Sequence, residues 1–437
     1  MRPRQARPRL LQAMIDAFSL PDLRRRILIT LGILVVFRFV AHVPLPGVNL
    51  DALHQLFERN ALLGMLDMFS GGAMRQLSVA AMGVYPYITA SIVMQLLVPV
   101  IPQLQALSQE GEAGRNQINR ITHWLTVPLA GLQGYGQLIY LQREGVISST
   151  AALPMATMVI SLTAGTMFLV WLGERITEYG IGNGVSIIIF GGIVAGYWQT
   201  AGQVFISAGQ GQWMGTVVYV LIALATVAFI VVFTEAHRRI PVQYSRSVFR
   251  SGRMYRQSGS THIPLRVNTA GMIPLIFAMS MVVFPGVVAS YFANPTTAEP
   301  NLANHIMSLF NSTGLLYWGL YFLLTVGFAF FYTMVIFEQQ DLPGTLQRQG
   351  GFIPGIRPGA HTKDYLDGVI KHITWAGALF LALVAIMPFI AQRVSGGAGQ
   401  VIQLSSMGML IVVGVVLDTM KQMEAQLVMR RYEGFIK

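Results

Sequence analysis

The chain has 437 residues, of which 53% are hydrophobic and only 11% are charged. Soluble domains carry about a quarter charged residues, so this composition excludes an ordinary soluble protein and indicates a membrane protein. The chain contains no cysteine, which excludes disulfides, thiolate metal sites and iron–sulfur clusters.

Ten long apolar stretches are predicted to cross the membrane. One crossing needs about 20 apolar residues, and backbone polar groups must be satisfied inside lipid, which favours helices over open sheet. The first stretch follows basic residues as in a signal peptide, but a Pro-rich turn replaces the cleavage site, so we expect a retained span. The predicted spans are 27–41, 76–98, 121–140, 153–173, 185–200, 214–234, 270–290, 315–337, 373–391 and 404–420. The predicted fold class is therefore an all-α membrane protein.

The distribution of Lys and Arg predicts that both termini are cytoplasmic. With ten spans, 25 of the 30 basic residues fall on one side and 4 in the outer loops, as the positive-inside rule requires. The remaining one, Arg38, lies near the outer end of the first span and is expected to snorkel outward. The net charge of +11 fits attraction to anionic lipid, and it also fits a docking surface for an acidic or nucleic-acid partner.

Residues 61–72 form an apolar segment between the first two spans that is too short to cross. Apolar runs of about 10–14 residues are typically re-entrant or interfacial. Two interpretations stay open at this point. The segment is either an amphipathic helix on the outer surface or a small helix folded back into a cavity, where it blocks a path.

Aliphatic pairs one helical turn apart occur in the second span, Val84 with Ile88, and in the fifth, Val185 with Ile189. Residues at this spacing share a face, and spacing alone favours ordinary packing. The fifth span is also rich in glycine, which suits close packing between helices. A few polar residues lie in or beside spans, where interhelical hydrogen bonding is their usual role. They include Thr89, Gln133 and Asn268.

Two inner loops are longer than topology requires. Residues 235–269 carry seven arginines and a single acid, Glu235. Residues 338–372 contain Arg357 in a Pro- and Gly-rich stretch, which predicts a stiff turn that presents one guanidinium. Long connections are often functional, whereas the alternative for Arg357 is a solvated turn charge.

Three classes of function are compatible with a chain of many spans: a passive channel powered by a partner, a secondary transporter of a small solute, and an intramembrane enzyme. A coupled transporter normally carries ionisable groups at mid-depth, whereas here only Arg38 and Asp418 lie inside spans, both near the ends. No phosphate-binding loop and no zinc-protease or nucleophile-elbow motif is present, so no enzyme is predicted. The scattered histidines predict no metal site, and we expect no cofactor.

Six motifs, in order, resemble those of the SecY family, the channel-forming subunits of the bacterial protein translocon. They are 37–47, 68–73, 86–91, 180–184, 260–268 and 354–359. The resemblance runs from about residue 20 to the last residues. It implies a clamshell of two pseudo-symmetric five-helix halves, 1–205 and 206–437, around an hourglass pore. The uncharged loop 201–213, which separates two blocks of five spans, fits this division.

The resemblance further implies a pore ring, a plug and a lateral gate. A ring of branched aliphatic side chains can expel water and stop ions without charge, and it has no fixed hydrogen-bonding preference for a passing chain. The ring positions are Val84, Ile88, Val185, Ile189, Ile276 and Ile411. The plug segment, 60–73, includes Leu62, Leu63, Gly64, Met65, Leu66, Asp67, Met68, Phe69, Ser70 and Gly71. The lateral gate, between the second and seventh spans, carries Thr89, Gln133 and Asn268.

Partners are implied in the same way. The two long loops match docking sites for the SecA motor ATPase and the translating ribosome, whose RNA is polyanionic. The docking residues are Arg357, Arg246, Arg250, Arg253 and Arg256. The resemblance also implies the small subunits SecE and SecG, signal peptides and unfolded preproteins as substrates, contact with membrane lipid, and a place in the bacterial inner membrane.

Overall fold

The computed structural model describes residues 20–59, 67, 70–147, 151–209, 213–250, 253–292, 302–310, 314–357, 359–394 and 406–436. Helices dominate these residues. In the first part of the chain they are α1 (Pro21–Val40), α2 (Leu50–Arg59), α3 (Tyr85–Leu97), α4 (Pro102–Gln109), α5 (Glu112–Arg143), α6 (Ala152–Tyr179), α7 (Gly184–Gly209) and α8 (Trp213–Glu235). There follow β1 (His237–Arg250), β2 (Arg253–Arg266), α9 (Ile273–Phe292), α10 (Leu302–Leu309), α11 (Leu315–Gln340), α12 (Leu342–Arg348), β3 (Gly351–Phe352), α13 (Ala360–Val394) and α14 (Ser406–Ile436).

Each of the ten predicted spans overlaps one helix, so the all-α character of the membrane part is confirmed. By length and apolar composition, four helical runs of the described part can cross a membrane: α6, α8, Leu315–Arg348 and α13. The pair α3 and α4 together makes a fifth candidate, with a bend of 98° between them. The apolar cores of α7 and α9 are shorter, Gly184–Trp198 and Ile273–Val282.

The second span begins later than predicted. The sequence predicted a helix from residue 76, whereas α3 starts at Tyr85 and residues 71–84 form turns. Leu77 has a φ of 39°, a left-handed conformation that interrupts a helix, and its side chain is buried. Its carbonyl accepts a hydrogen bond from the N–H of Leu45 at 3.0 Å. The apolar residues before Tyr85 therefore belong to a buried irregular segment that composition alone does not separate from a span.

Residues 1–210 form one compact unit with residues 411–437, and residues 211–410 form a second. The predicted halves divided the chain at 205 and placed the last helix with the second half; that division stays a prediction. The core of the first unit joins α2, the turns before α3, α5 and α6. Its buried members include Leu53, Leu77, Leu138 and Leu162.

The long loop 235–269 is a β-hairpin, an element that the sequence analysis did not predict. β1 and β2 pair antiparallel from His237 opposite Arg266 to Arg250 opposite Arg253. β3 joins the other edge of β1, giving the strand order β2-β1-β3. Near the base of the hairpin, Ile240 and Val242 are buried at alternate positions, the pattern of a half-buried strand.

An apolar cluster holds this sheet against the start of α13. Buried residues from β1, β2, α12 and the segment after β3 meet buried residues of the first turns of the helix. They are Ile240, Val242, Leu265, Leu346, Ile353, Leu366, Val369 and Ile370. The described parts of the loops 235–269 and 338–372 therefore belong to one packed structure.

Candidate functional site

The predicted ring positions are mostly buried. Val84, Ile189, Ile276 and Ile411 are buried, and Ile88 and Val185 are half-buried. They lie on α3 or just before it, on α7, on α9 and on α14. Ile276 belongs to the second compact unit and the other five to the first, and the ring as a whole stays a prediction.

Within the first unit, each pair of ring positions is fixed by its helix. The N–H of Ile88 donates to the carbonyl of Val84 at 3.1 Å, so the two residues occupy successive turns at the start of α3. Val185 stands in the first turn of α7, where a Cβ built on Gly173 would lie 3.0 Å from its Cγ2. The side chain of Val185 therefore packs closely against α6. These four positions are aliphatic, as a gate that excludes ions without charge requires.

The predicted plug segment is described only at its C-terminal end. Asp67, Ser70 and Gly71 belong to the described part of the chain. The other predicted plug residues lie outside it. They are Leu62, Leu63, Gly64, Met65, Leu66, Met68 and Phe69. The structure therefore shows how the C-terminal end of the plug segment is attached.

Asp67 is the centre of that attachment. Its Oδ1 accepts hydrogen bonds from the backbone N–H groups of Met74 and Arg75, both at 3.1 Å, and from the hydroxyl of Ser70 at 3.2 Å. Its Oδ2 lies 2.9 Å from Nε of Arg75. Burial raises the pKa of Asp67, while the guanidinium of Arg75 and the hydrogen bonds to the carboxylate oppose that rise. A single carboxylate thus closes the turn that follows the plug segment.

Gly71 carries a second attachment. The guanidinium of Arg38 on α1 donates to the carbonyl of Gly71, and the ring of Phe37 lies beside the glycine. The backbone of Gly71 also rests against Gly192 on α7, because a Cβ on Gly192 would lie only 3.0 Å from its Cα. Arg38, which was expected to snorkel outward, therefore holds the backbone at the end of the plug segment. Sequence reasoning marked the glycines of α7 as packing residues but did not identify this partner.

The three predicted gate residues are all half-buried. The hydroxyl of Thr89 donates to the carbonyl of Tyr85 in its own helix at 3.1 Å. The Oδ1 of Asn268 is buried without a hydrogen-bond partner among the described residues, which leaves an acceptor available beside α9. The assignment of Thr89, Gln133 and Asn268 to a gate stays a prediction.

One cluster near α3 was not found from the sequence. The ring of Tyr87 stacks on the ring of His123, with the centroids 5.5 Å apart, and Nε2 of His123 lies 3.2 Å from a carboxylate oxygen of Glu174. These residues tie α3 to α5 and α6. Tyr87 belongs to the motif 86–91, but His123 and Glu174 lie far from it in sequence and belong to none of the six motifs, so only the fold brings the three together.

The predicted docking residues lie on the sheet and on the turn that follows it. Arg246 and Arg250 belong to β1, and Arg253 and Arg256 to β2, with Arg250 and Arg253 paired at the end of the hairpin. Arg357 is exposed in the turn after β3. Since Gln243 and Tyr244 pair with Phe352 and Gly351, the turn is attached to the hairpin by backbone hydrogen bonds. Their role in docking stays a prediction.

The chain is similar to known proteins over almost its whole length. The SecY family model matches residues 78–420. The protein translocase subunit SecY of Streptomyces lividans is 42% identical, with 98% of this chain and 100% of that protein covered. The corresponding protein of Thermotoga maritima is 41% identical, with 98% of each covered.

Solved structures show the same fold at lower identity. A protein-conducting channel matches with a TM-score of 0.60 and 14% identity, covering 97% of this chain and 98% of that one. A SecY structure concerned with the plug domain matches with a TM-score of 0.62 and 16% identity over the same shares. Sec61 in the canine ribosome–channel complex matches with a TM-score of 0.58 and 15% identity, again over 97% and 98%.

Proposed function

Because this chain belongs to the SecY family and is a protein-conducting channel subunit, not an enzyme, we propose here how its residues carry out that function. The channel passes unfolded secretory polypeptides across the membrane and releases transmembrane segments sideways into lipid, driven by a partner. The observation that carries the function is the similarity to translocase subunits, which spans 98% of the chain.

The ring is proposed to seal the resting channel. Val84, Ile88, Val185, Ile189, Ile276 and Ile411 would form the constriction, a hydrophobic gate that dewets when no polypeptide is present. The burial of four of these aliphatic residues supports the proposal. The plug segment, 60–73, would then block the outer funnel, with Asp67 and Gly71 holding its C-terminal end.

The lateral gate is proposed to open by exchange of weak contacts. Thr89, Gln133 and Asn268 would meet between α3, α5 and α9, and the unpartnered Oδ1 of Asn268 supports a polar contact at this position. Hydrogen bonds between membrane helices contribute about 0.6 kcal/mol on average. An apolar signal segment gains roughly 25 cal/mol per Å² on burial, so several hundred Å² outweigh a few such bonds.

The sheet and the turn after it are proposed to bind the driving partner. Arg357, with Arg246, Arg250, Arg253 and Arg256, would receive the SecA motor ATPase or the ribosome. The chain is similar to Sec61 in the canine ribosome–channel complex, which supports a ribosomal partner. Basic residues suit polyanionic RNA. SecE and SecG are proposed as partner subunits.

The location is proposed to be the bacterial inner membrane, with both termini in the cytoplasm and anionic lipid around the basic cytoplasmic side of the chain.

Reconstitution in lipid vesicles tests the function. The chain with SecE and SecG, supplied with SecA, ATP and an unfolded secretory precursor, is expected to move the precursor into a protease-protected state. Vesicles without the chain, and complete vesicles without ATP, are the controls. Uptake of a small solute by the lone chain along an ion gradient, with no precursor transport, would instead favour a secondary transporter.

A further inference from the structure

Arg357 lies in a turn that has a glycine with positive φ on each side. Gly355 has a φ of 84° and Gly359 a φ of 102°, conformations that glycine adopts readily and other residues rarely. Unless other contacts fix the turn, the guanidinium of Arg357 has no single orientation. The structure contains those contacts on both sides.

The N-terminal side of the turn is fixed by the sheet. Gly351 of β3 pairs with Tyr244 of β1, and a Cβ on Gly351 would lie 2.8 Å from the Tyr244 ring, so the ring packs directly on this glycine. Ile353 follows as a buried member of the apolar cluster on α13. The N–H of Ile356 then donates to the carbonyl of Ile353 at 3.1 Å, which closes the first half of the turn.

The C-terminal side is fixed by the first turn of α13, where the N–H of Lys363 donates to the carbonyl of Gly359 at 3.2 Å and Thr362 makes two further bonds. Its hydroxyl donates to the carbonyl of Arg357 at 2.9 Å, and its backbone N–H donates to the carbonyl of Gly359 at 3.1 Å. The side chain is only 4% exposed. Leu366 and Ile370, one and two turns further along α13, belong to the apolar cluster that packs against the sheet, so the hydroxyl is held in a rigid position.

We propose that Thr362 is a positioning residue for Arg357: its buried hydroxyl holds the Arg357 peptide so that the guanidinium is oriented before a partner arrives. This inference rests on the proposed docking role of Arg357. Pre-orientation lowers the ordering cost of binding, so its loss weakens the partner's apparent affinity and leaves the sealed channel unchanged.

Motor-driven precursor transport into vesicles tests the proposal, with the complete complex and titrated SecA. Thr362→Val replaces the hydroxyl by a methyl group of similar shape and is expected to raise the SecA concentration for half-maximal transport about five-fold, as loss of one hydrogen bond implies. Thr362→Ser, which keeps the hydroxyl, is expected to stay within about two-fold of the unaltered chain. Resting ion conductance is expected to be unchanged in both variants, which shows that they are folded and sealed.

Thr374→Val is the matched control on the same helix. Thr374 is also 4% exposed, but its hydroxyl donates to the carbonyl of Ile370 within α13, so the substitution has the same chemistry without touching the turn. It is expected to leave the SecA dependence unchanged. An effect of Thr374→Val as large as that of Thr362→Val overturns the positioning role in favour of general helix stability.

The decisive measurement is Thr362→Val in an Arg357→Ala background. If Thr362 acts through Arg357, the second substitution adds no further loss. An equal loss in both backgrounds, or no effect of Thr362→Val on the unaltered chain, overturns the inference while the docking role of Arg357 stands. A normal SecA dependence of Arg357→Ala alone refutes the docking role itself, and the inference falls with it.

Discussion

Gly71 and Gly192 meet backbone to backbone: a Cβ on Gly71 would lie 2.6 Å from the Cα of Gly192. Gly192 lies on α7, the helix that carries Val185 in its first turn and Ile189 about one turn before Gly192. The end of the plug segment therefore rests on the same helix that supplies two of the proposed ring residues.

Gly192→Ala is expected to loosen the plug. The added methyl group would lie 3.0 Å from the backbone of Gly71, a contact that the backbone relieves only by moving. Overpacking costs about 1–3 kcal/mol, so the resting ion conductance of reconstituted vesicles is expected to rise about five-fold or more. Gly196→Ala, one turn further along α7, places its methyl group in open space and is the control. Equal conductance in the two variants contradicts the prediction.

Arg75→Gln is expected to be more harmful than Asp67→Asn. Removing the guanidinium leaves a carboxylate that is 5% exposed with fewer partners, whereas the side chain of Arg75 is 42% exposed and is solvated when Asp67 is neutral. The first change is expected to destabilise the turn by about 1–3 kcal/mol and the second by less. Thermal unfolding in detergent and resting conductance measure both effects. The reverse ranking would show that the hydrogen bonds accepted by the carboxylate outweigh the cost of burying it without the guanidinium.

Acidification is expected to rescue Arg75→Gln. The pKa of Asp67 is raised by burial above its ordinary value of 3.8, and loss of Arg75 removes one of the contacts that oppose the rise. For a carboxyl with a raised folded-state pKa, the stability contribution is complete below the unfolded value and is lost as pH rises through the folded value. Lowering the pH from neutral is therefore expected to reduce the excess conductance of Arg75→Gln. The Asp67→Asn, Arg75→Gln double variant, which has no carboxyl at residue 67, is expected to lack this response.

Ile88→Ser is expected to make the resting channel leak. A hydroxyl at a half-buried ring position gives water a hydrogen-bonding partner and opposes dewetting. The resting conductance is expected to rise several-fold while precursor transport continues. Ile160→Ser on α6, where the side chain is 67% exposed, is the control and is expected to remain sealed. An unchanged conductance for Ile88→Ser excludes Ile88 from the ring.

Arg357→Glu is expected to abolish coupling to the driving partner without unfolding the chain. The side chain is exposed, so the reversal of charge disturbs no buried contact. Repulsion at an acidic docking surface is expected to lower SecA-driven transport by about ten-fold or more. Precursor uptake and the amount of inserted protein are measured together. Normal uptake with normal insertion speaks against the docking role.

The sequence predicted the membrane helices well because a long apolar stretch has few alternatives in lipid. It failed where apolar residues serve another purpose. In residues 76–84, Leu77, Ala81 and Met82 fill the core against α5 and α6, and the positive φ of Leu77 prevents a helix there. The hairpin was missed because its arginine-rich outer part hides the alternation that Ile240 and Val242 show near the base.

Contacts between distant residues were beyond prediction for a different reason. Asp67 stood in the predicted plug segment and Arg75 in the loop between that segment and the second span, but an irregular turn has no periodicity that implies their pairing. Tyr87, His123 and Glu174 come from three helices, and only the packing of α3, α5 and α6 sets their distances. The link between Thr362 and Arg357 likewise depends on how α13 packs against the sheet.

The pairing of β3 with β1 has a mechanical consequence. Backbone hydrogen bonds and the apolar cluster join the base of the hairpin, the turn and the first turns of α13. A force on this base is therefore expected to move the start of α13, a helix of 35 residues, together with the sheet.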